Sequence, residues 1–175
     1  KETKILLQPG INKISQIIRL NEISLWSPNN PSLYKLKSYI KIKDKTEDIV
    51  FENFGFREFT VKDDRFYLND KPIYLKAAFF EGLYPIKLAH PDSKEMVIKE
   101  IMMAKKAGFN MIRPWRKPPP PMWLKIADSL GVLTVGSMAI ECMDMPIETP
   151  YLPRRVENEI TESILRDRNH VSIVQ

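Results

Sequence analysis

The sequence has a single cysteine, Cys142, and only two histidines, His90 and His170. One cysteine can form neither an internal disulfide nor a cysteine-based metal site. The two histidines fall at opposite ends of the fold predicted below, so they do not suggest a shared metal ion. We therefore expect neither a metal nor another cofactor.

The few glycines form none of the motifs that bind phosphates or expose a catalytic serine. The patterns Gly-x-Gly-x-x-Gly and Gly-Lys-Ser/Thr are absent from the sequence, which argues against a nucleotide-binding sheet. The Gly-x-Ser-x-Gly turn of serine hydrolases is absent as well.

Long apolar runs are also missing. None of them is long enough to span a membrane, and no signal peptide is visible at Lys1. The chain does not begin with methionine, and the residues after Lys1 already have the pattern of a strand. We expect a piece of a longer protein, whose compartment the sequence leaves open.

What is present is the composition of a globular protein. Of the 175 residues, 43% are apolar and 10% aromatic, enough for one large domain or two small ones. The net charge of +5 partly reflects lysines that alternate along one side of residues 34–43, where they would keep a strand soluble. A nucleic-acid binder, which would bind with a steep salt dependence, is therefore a minor alternative.

Residues 1–60 have the short, turn-bounded apolar runs that are typical of strands. The predicted strands are Lys4–Leu7, Ile14–Leu20, Leu33–Lys43 and Ile49–Phe54. No helical period appears among them. Strands at this spacing suggest part of a β-sandwich.

After residue 65 strands and helices alternate. A hairpin that turns at Asn69-Asp70 leads into a buried strand at Ile73–Ala77. Later strands are predicted at residues 109–115, 132–135 and 171–174. Alternation of this kind indicates parallel strands with helical crossovers, either in an open sheet or in a (β/α)₈ barrel. A complete barrel needs about 250 residues, so residues 65–175 would supply about half of one.

Helix-level patterns refine this outline. Asp92 with Glu95 three residues later matches a capping box at the start of the first helix. In the third helix, the spacing of Val156, Ile160 and Ile164 predicts a buried face, and Glu162 and Arg166 have the spacing of a supporting ion pair.

Candidate functional residues follow the predicted strands, at the end where barrel active sites lie. They are Glu81, Arg113, Trp115, Glu141 and Asp144. Carboxylates, a cation and an aromatic face on one rim suit a sugar. Each residue also has a structural interpretation: Trp115 could pack under the proline run, and the acids could be solvated loop residues.

Several motifs, in the order in which they occur, resemble glycoside hydrolase family 2. They are Leu25-Trp26-Ser27-Pro28, Phe54-Gly55-Phe56-Arg57-Glu58, Phe66-Tyr67-Leu68-Asn69-Asp70, Phe109-Asn110-Met111-Ile112-Arg113, Ala127-Asp128-Ser129-Leu130-Gly131 and Arg168-Asn169-His170-Val171-Ser172. The resemblance implies an immunoglobulin-like β-sandwich over residues 1–60 and the first half of a (β/α)₈ catalytic barrel over residues 61–175.

The resemblance also implies an activity. Members are retaining β-glycosidases, including β-galactosidases, β-glucuronidases and β-mannosidases, which use one glutamate as acid/base and another as nucleophile. Both are expected beyond Gln175, so we expect the chain itself to be inactive. Arg113 matches an arginine that members place beside the nucleophile, where a cation favours the ionised carboxylate. Pro114-Trp115 departs from the family pattern at this point, so the sugar cannot be named.

The resemblance implies a carbohydrate substrate, whereas nothing in the sequence points to a nucleic acid or a membrane. The rival class is a non-catalytic carbohydrate-binding or scaffold protein that keeps the barrel shape. An Asn-Glu pair shortly beyond Gln175 would favour the enzyme. Half a barrel would leave strand edges open, so self-association through them is a further expectation.

Overall fold

The computed structural model describes residues 3–115, 117–138 and 149–174. The elements, in chain order, are β1 Tyr34–Ile42, β2 Lys45–Phe54, β3 Phe59–Lys62, β4 Arg65–Leu68, β5 Lys71–Pro72, β6 Ala77–Phe80, α1 Lys94–Lys106, β7 Met111–Pro114, α2 Pro121–Leu130, β8 Leu133–Thr134 and α3 Leu152–Asp167. No helix within these ranges is long and apolar enough to cross a lipid bilayer.

The N-terminal part contains one antiparallel pair, β1 with β2, whose register pairs Tyr34 with Phe54. The chain reverses at Lys43 and Asp44, which adopt φ angles of 48° and 65°. Two-residue turns with positive φ at both positions match the twist of the strands that they join. The strands predicted at Leu33–Lys43 and Ile49–Phe54 are confirmed.

The predicted strands Lys4–Leu7 and Ile14–Leu20 are wrong, because no strand lies between residues 3 and 24. Apolar side chains in this stretch are in solvent, with Leu6 87% and Ile17 81% exposed. An apolar run forms a strand only where a neighbouring strand satisfies its backbone groups, and the described residues offer none here. The predicted β-sandwich is therefore not confirmed and remains a prediction.

The strands β3, β4 and β5 form a small antiparallel sheet in that order. Its second turn is the predicted one, with Asn69 and Asp70 both at positive φ. The strand predicted at Ile73–Ala77 is misplaced: β6 begins at Ala77, and residues 73–76 lead into it.

The C-terminal part is built on a parallel sheet, ordered β6-β7-β8. The bridge between Thr134 and Ile173 is also parallel and adds the start of a fourth strand. α1 connects β6 to β7, and α2 connects β7 to β8. The predicted alternation and the parallel direction are thus confirmed.

The ends of the first two helices follow from local chemistry. The side chain of Ser93, not Asp92, caps α1 by accepting a hydrogen bond from the Met96 amide at 3.1 Å. The predicted capping box is wrong, and Asp92 accepts instead from the Lys87 amide. α2 ends as predicted at Gly131, which adopts the left-handed conformation at φ 70°.

α3 confirms the predicted face in part. Val156 and Ile160 are half-buried, but the stripe continues through buried Ser163 and Asp167, whereas Ile164 is 52% exposed. The predicted pair of Glu162 with Arg166 is not formed, because Arg166 makes a bidentate contact at 2.6 Å with Asp167. The helical period predicts the stripe, but it does not predict that the C-terminal positions of the stripe are the polar residues Ser163 and Asp167.

The two faces of the parallel sheet belong to different clusters. On the face toward the helices, Ile112 of β7 packs in a cluster whose other buried members come from α1, α2 and the residue before β8: Val97, Ile101, Trp123, Leu124, Ile126, Ala127 and Val132. The opposite face packs Met111 and Leu133 against Val171 and Trp26. Because helices surround the outside of a (β/α)₈ barrel, this second face corresponds to a barrel interior.

The N-terminal part is fixed to the parallel sheet through Trp26 and Arg57. Trp26 is fully buried, and its Nε1–H donates to the carbonyl of Asp128 at 2.7 Å. Arg57 donates to the carbonyls of Val171, at 3.1 Å, and Ile173. Trp26 therefore binds α2, and Arg57 binds the segment that leads into the fourth strand.

Lys105 makes a third connection between the two parts. Its ammonium group donates to the carbonyls of Pro28 at 3.0 Å, Gly131 at 2.8 Å and Leu130. Burial lowers the pKa of this lysine. Three carbonyl acceptors match the three donors of an ammonium group, so the cation is retained despite its partial burial.

Candidate functional site

The candidate site lies on the interior face of the parallel sheet, near the C-terminal ends of β6 and β7. The ladder pairs Phe79 with Arg113, which puts both side chains on one face. Ile112 and Phe80 point the other way, into the cluster beneath the helices. The alternation of a strand therefore presents Arg113 away from the helices.

Arg113 and two aromatic rings form a cluster on this face. The guanidinium carbon of Arg113 lies 4.9 Å from the ring centre of Trp115. The ring of Phe79 is 5.4 Å from the same indole, with an angle of 55° between the planes. Phe79 is 57% exposed. A fixed cation beside open ring faces can bind a ligand that has both an apolar surface and an anionic or hydroxyl group.

A shallow recess, with enclosed room for about one water molecule, adjoins this cluster. The loop that follows β6 contributes Glu81, Gly82 and Tyr84, and the segment that follows β7 contributes Trp115 and Lys117. The recess is therefore shaped by two loops that leave neighbouring parallel strands at the same end, where crevices of parallel sheets bind ligands.

Lys117 joins these two loops. Its ammonium donates to the carbonyl of Gly82 and, at 3.0 Å, to that of Ala89. Burial lowers the pKa of Lys117, and the nearby carboxylate of Glu81 opposes that shift. The carbonyls and the carboxylate together compensate for removing the ammonium group from water.

A second polar contact anchors the loop after β6 to α1. The hydroxyl of Tyr84 donates to a carboxylate oxygen of Glu100 at 3.1 Å. Burial raises the pKa of Glu100, and the hydrogen bond from Tyr84 partly offsets this rise. Burial, together with the nearby charge of Glu100, raises the pKa of Tyr84 as well.

The structure brings some of the predicted site residues together. Glu81, Arg113 and Trp115 lie at the same end of the sheet, and their roles toward a substrate remain predictions. Glu141 and Asp144 lie outside the described residues. Within the described ranges, no group of three or more His, Cys, Asp or Glu side chains could hold a metal ion.

Sequence reasoning assigned no individual role to Lys117, Trp26 or Asp128. Asp128 had a visible signal, because it is an acid four residues after Leu124 on the apolar side of α2, where a charge needs a partner. That partner is His170, at the opposite end of the sheet from Arg113. For Lys117 and Trp26 the sequence offers no local signal, since their partners are far away along the chain.

Comparisons with known proteins identify the relatives of both parts. Residues 1–57 match the family model described as glycosyl hydrolases family 2. Residues 59–175 match the model described as glycosyl hydrolases family 2, TIM barrel domain.

Curated relatives include two bacterial β-galactosidases. The enzyme of Photobacterium profundum is 26% identical over 167 residues, and that of Vibrio vulnificus is 27% identical over 168. Each match covers 92% of this chain but 16% of the relative. The chain thus spans about a sixth of the length of these enzymes.

Solved structures of the family superpose on the chain. A family 2 member from Bacteroides cellulosilyticus DSM 14838 is 28% identical, with a TM-score of 0.73 over 86% of this chain and 20% of its own. A β-glucuronidase from Bacteroides uniformis is also 28% identical, with a TM-score of 0.76 over 87% of this chain and 18% of its own.

Proposed function

The chain belongs to glycosyl hydrolases family 2, and from this we propose that it is part of a retaining β-glycosidase that hydrolyses O-glycosidic bonds of carbohydrates. Residues 1–60 contribute part of an immunoglobulin-like sandwich, and residues 61–175 contribute the first half of the catalytic barrel. Relatives named β-galactosidase and β-glucuronidase support this class of reaction.

One observation carries the proposal: Arg113 lies near the end of β7, on the sheet face turned away from the helices, with its guanidinium against Trp115. In a barrel this is where catalytic groups converge. A cation there stabilises a carboxylate in its ionised form. Such a carboxylate is what a retaining enzyme needs as nucleophile.

In this proposal the chain contains neither catalytic glutamate. Arg113 supports the nucleophile, which another part of the barrel supplies. Trp115 and Glu81 contact the sugar, the first through its ring face and the second through hydroxyl groups. Glu141 is assigned to the same rim on its sequence position alone.

The test compares the full-length protein with the chain alone on a panel of chromogenic β-glycosides, including β-galactosides and β-glucuronides. We expect hydrolysis with retention of configuration by the full-length protein and none by the chain. In the full-length protein, Arg113→Ala is expected to lower kcat by about a hundredfold, as the loss of a preorganised electrostatic contact does.

Hydrolysis by the chain alone would contradict the assignment of both glutamates to other parts of the protein. A full-length protein that binds glycans but cleaves none of the panel would instead favour a non-catalytic carbohydrate-binding protein. Configuration is read from the anomeric signals of the first product by NMR.

A further inference from the structure

Lys117 connects the two loops that rim the candidate site. We propose that Lys117 is a positioning residue: it holds the loop of residues 81–92 against the segment after β7 and so fixes Glu81 beside Trp115 for substrate binding. The inference rests on the proposed function, and it assigns a role to a residue that makes no contact with the reacting atoms.

The contacts of the ammonium group support this role. It donates to Gly82, at the start of the loop, and to Ala89, seven residues further on. A single cation therefore fixes both ends of the loop segment between them. Because Gly82 is the neighbour of Glu81, the first hydrogen bond also restricts where that carboxylate can be.

A glycine in the loop favours the close approach of the lysine. A Cβ atom at position 82 would lie 3.2 Å from Cε of Lys117, and Gly82 has a φ of 67°. A side chain there would meet both the lysine stem and the strain of the left-handed conformation. The sequence of the loop thus accommodates the lysine.

The proline run gives Lys117 a stiff support. Lys117 directly precedes the run of residues 118–121, all four of which are proline. A residue before proline is restricted to extended conformations, and each proline fixes its own φ. The backbone that carries Lys117 is therefore preorganised. The hydrogen bonds of the Lys117 side chain consequently order the loop, and the loop is not needed to order the lysine.

The consequence concerns binding more than the chemical step. Lys117 and Glu81 both line the recess next to Trp115. A loop released from Lys117 would weaken contacts that the ground state and the transition state share. Loss of such uniform binding raises KM and leaves kcat little changed.

The experiment uses three variants of the full-length protein: Lys117→Met, Lys117→Arg and Lys87→Met. Lys87→Met is the matched control, because the ammonium of Lys87 bonds at 3.1 Å to Asp92 inside the same loop and not across to the segment after β7. Hydrogen exchange of the amides of residues 81–92 reports on the loop. KM and kcat on a cleaved β-glycoside report on its effect.

For Lys117→Met we expect about tenfold faster exchange in the loop and a KM raised about tenfold, with kcat within about threefold of wild type. Lys117→Arg, which can still donate to carbonyls, should recover most of the KM, and Lys87→Met should behave as wild type.

An unchanged KM in Lys117→Met would overturn the inference, even if exchange increases, because the contact would then be structural only. Equal effects of Lys87→Met would also overturn it. A wild-type protein that cleaves no glycoside would count against the proposed function itself. The exchange rates of residues 81–92 in Lys117→Met would then decide whether Lys117 holds the loop. Unchanged rates would overturn the inference.

Discussion

Nδ1 of His170 lies 2.6 Å from a carboxylate oxygen of Asp128, and the two side chains are 14% and 9% exposed. A carboxylate only accepts, so the imidazole donates this hydrogen bond. The other carboxylate oxygen accepts from the amide of Ser172 at 2.9 Å. Asp128 therefore joins α2 to the segment that leads into the fourth strand, and its own carbonyl binds Trp26.

We expect this pair to be energetically coupled. Asp128→Ala leaves the partly buried imidazole of His170 and the buried amide of Ser172 without their acceptor. His170→Ala leaves the Asp128 carboxylate without its imidazole donor. Each variant should cost about 2–3 kcal/mol of unfolding free energy. The double variant should cost about 1–2 kcal/mol less than the sum of the two. Urea unfolding followed by circular dichroism measures all three values. Strict additivity would show that the contact contributes nothing.

The parallel sheet was predictable because each of its features is local in sequence. Apolar runs at β7 and β8, separated by an amphipathic helix that ends at Gly131, indicate a strand-helix-strand unit whatever surrounds it. The segment before residue 25 was not predictable in this way. Its apolar residues also suggest strands, but a strand depends on a partner, and Leu6 and Ile17 have none among the described residues.

In the candidate site, too, features that are local in sequence were predictable and contacts with distant residues were not. The position of Arg113 near a strand end follows from the length of the apolar run before it. The contact of Lys117 with carbonyls 28 and 35 residues earlier does not. Trp26 is harder still: its hydrogen-bond partner, Asp128, is 102 residues away. Nothing in the sequence around Trp26 indicates that its indole is fully buried.

The contact between Gly131 and Pro28 gives a prediction with an internal control. A Cβ at Gly131 would lie 2.6 Å from the Pro28 carbonyl oxygen, whereas one at Gly108, also at positive φ, would meet nothing within 4 Å. Gly108→Ala should cost about 1–2 kcal/mol from backbone strain alone. Gly131→Ala should cost more, because the N-terminal segment must also move. Equal losses in thermal or urea unfolding would contradict the close approach.

Glu100 predicts a pH dependence of stability. Its pKa is raised in the folded state, mainly by burial, above its ordinary value of 4.5. Between that value and the folded pKa, the folded protein therefore binds more protons than the unfolded chain. Stability must fall as pH rises through this window, and the loss is complete above the folded pKa. Glu100→Gln retains an acceptor for Tyr84 and removes the charge.

The stability of Glu100→Gln relative to wild type should accordingly increase as pH rises from about 4.5 toward neutrality. Urea unfolding at a series of pH values measures this difference. Glu95→Gln, an exposed acid on the same helix, shows the effect of removing a charge without burial. A Glu100→Gln curve parallel to that of wild type would contradict the raised pKa.

Trp115 should control the strength of substrate binding if the proposed function holds. Its indole contacts the guanidinium of Arg113 and the ring of Phe79, so Trp115→Ala removes both a ring face for the sugar and the support of the cation. In Trp115→Ala we expect kcat/KM of the full-length protein to fall by tenfold or more. In Trp115→Phe, which keeps a ring, we expect a fall of about threefold, since a cation–π contact contributes about 0.5–1 kcal/mol at an exposed site. Tyr74→Ala serves as the control, because Tyr74 is 81% exposed and precedes the opposite end of β6. If Trp115→Ala cleaves every accepted glycoside as fast as wild type, the indole only packs beneath the prolines and the sugar is bound elsewhere.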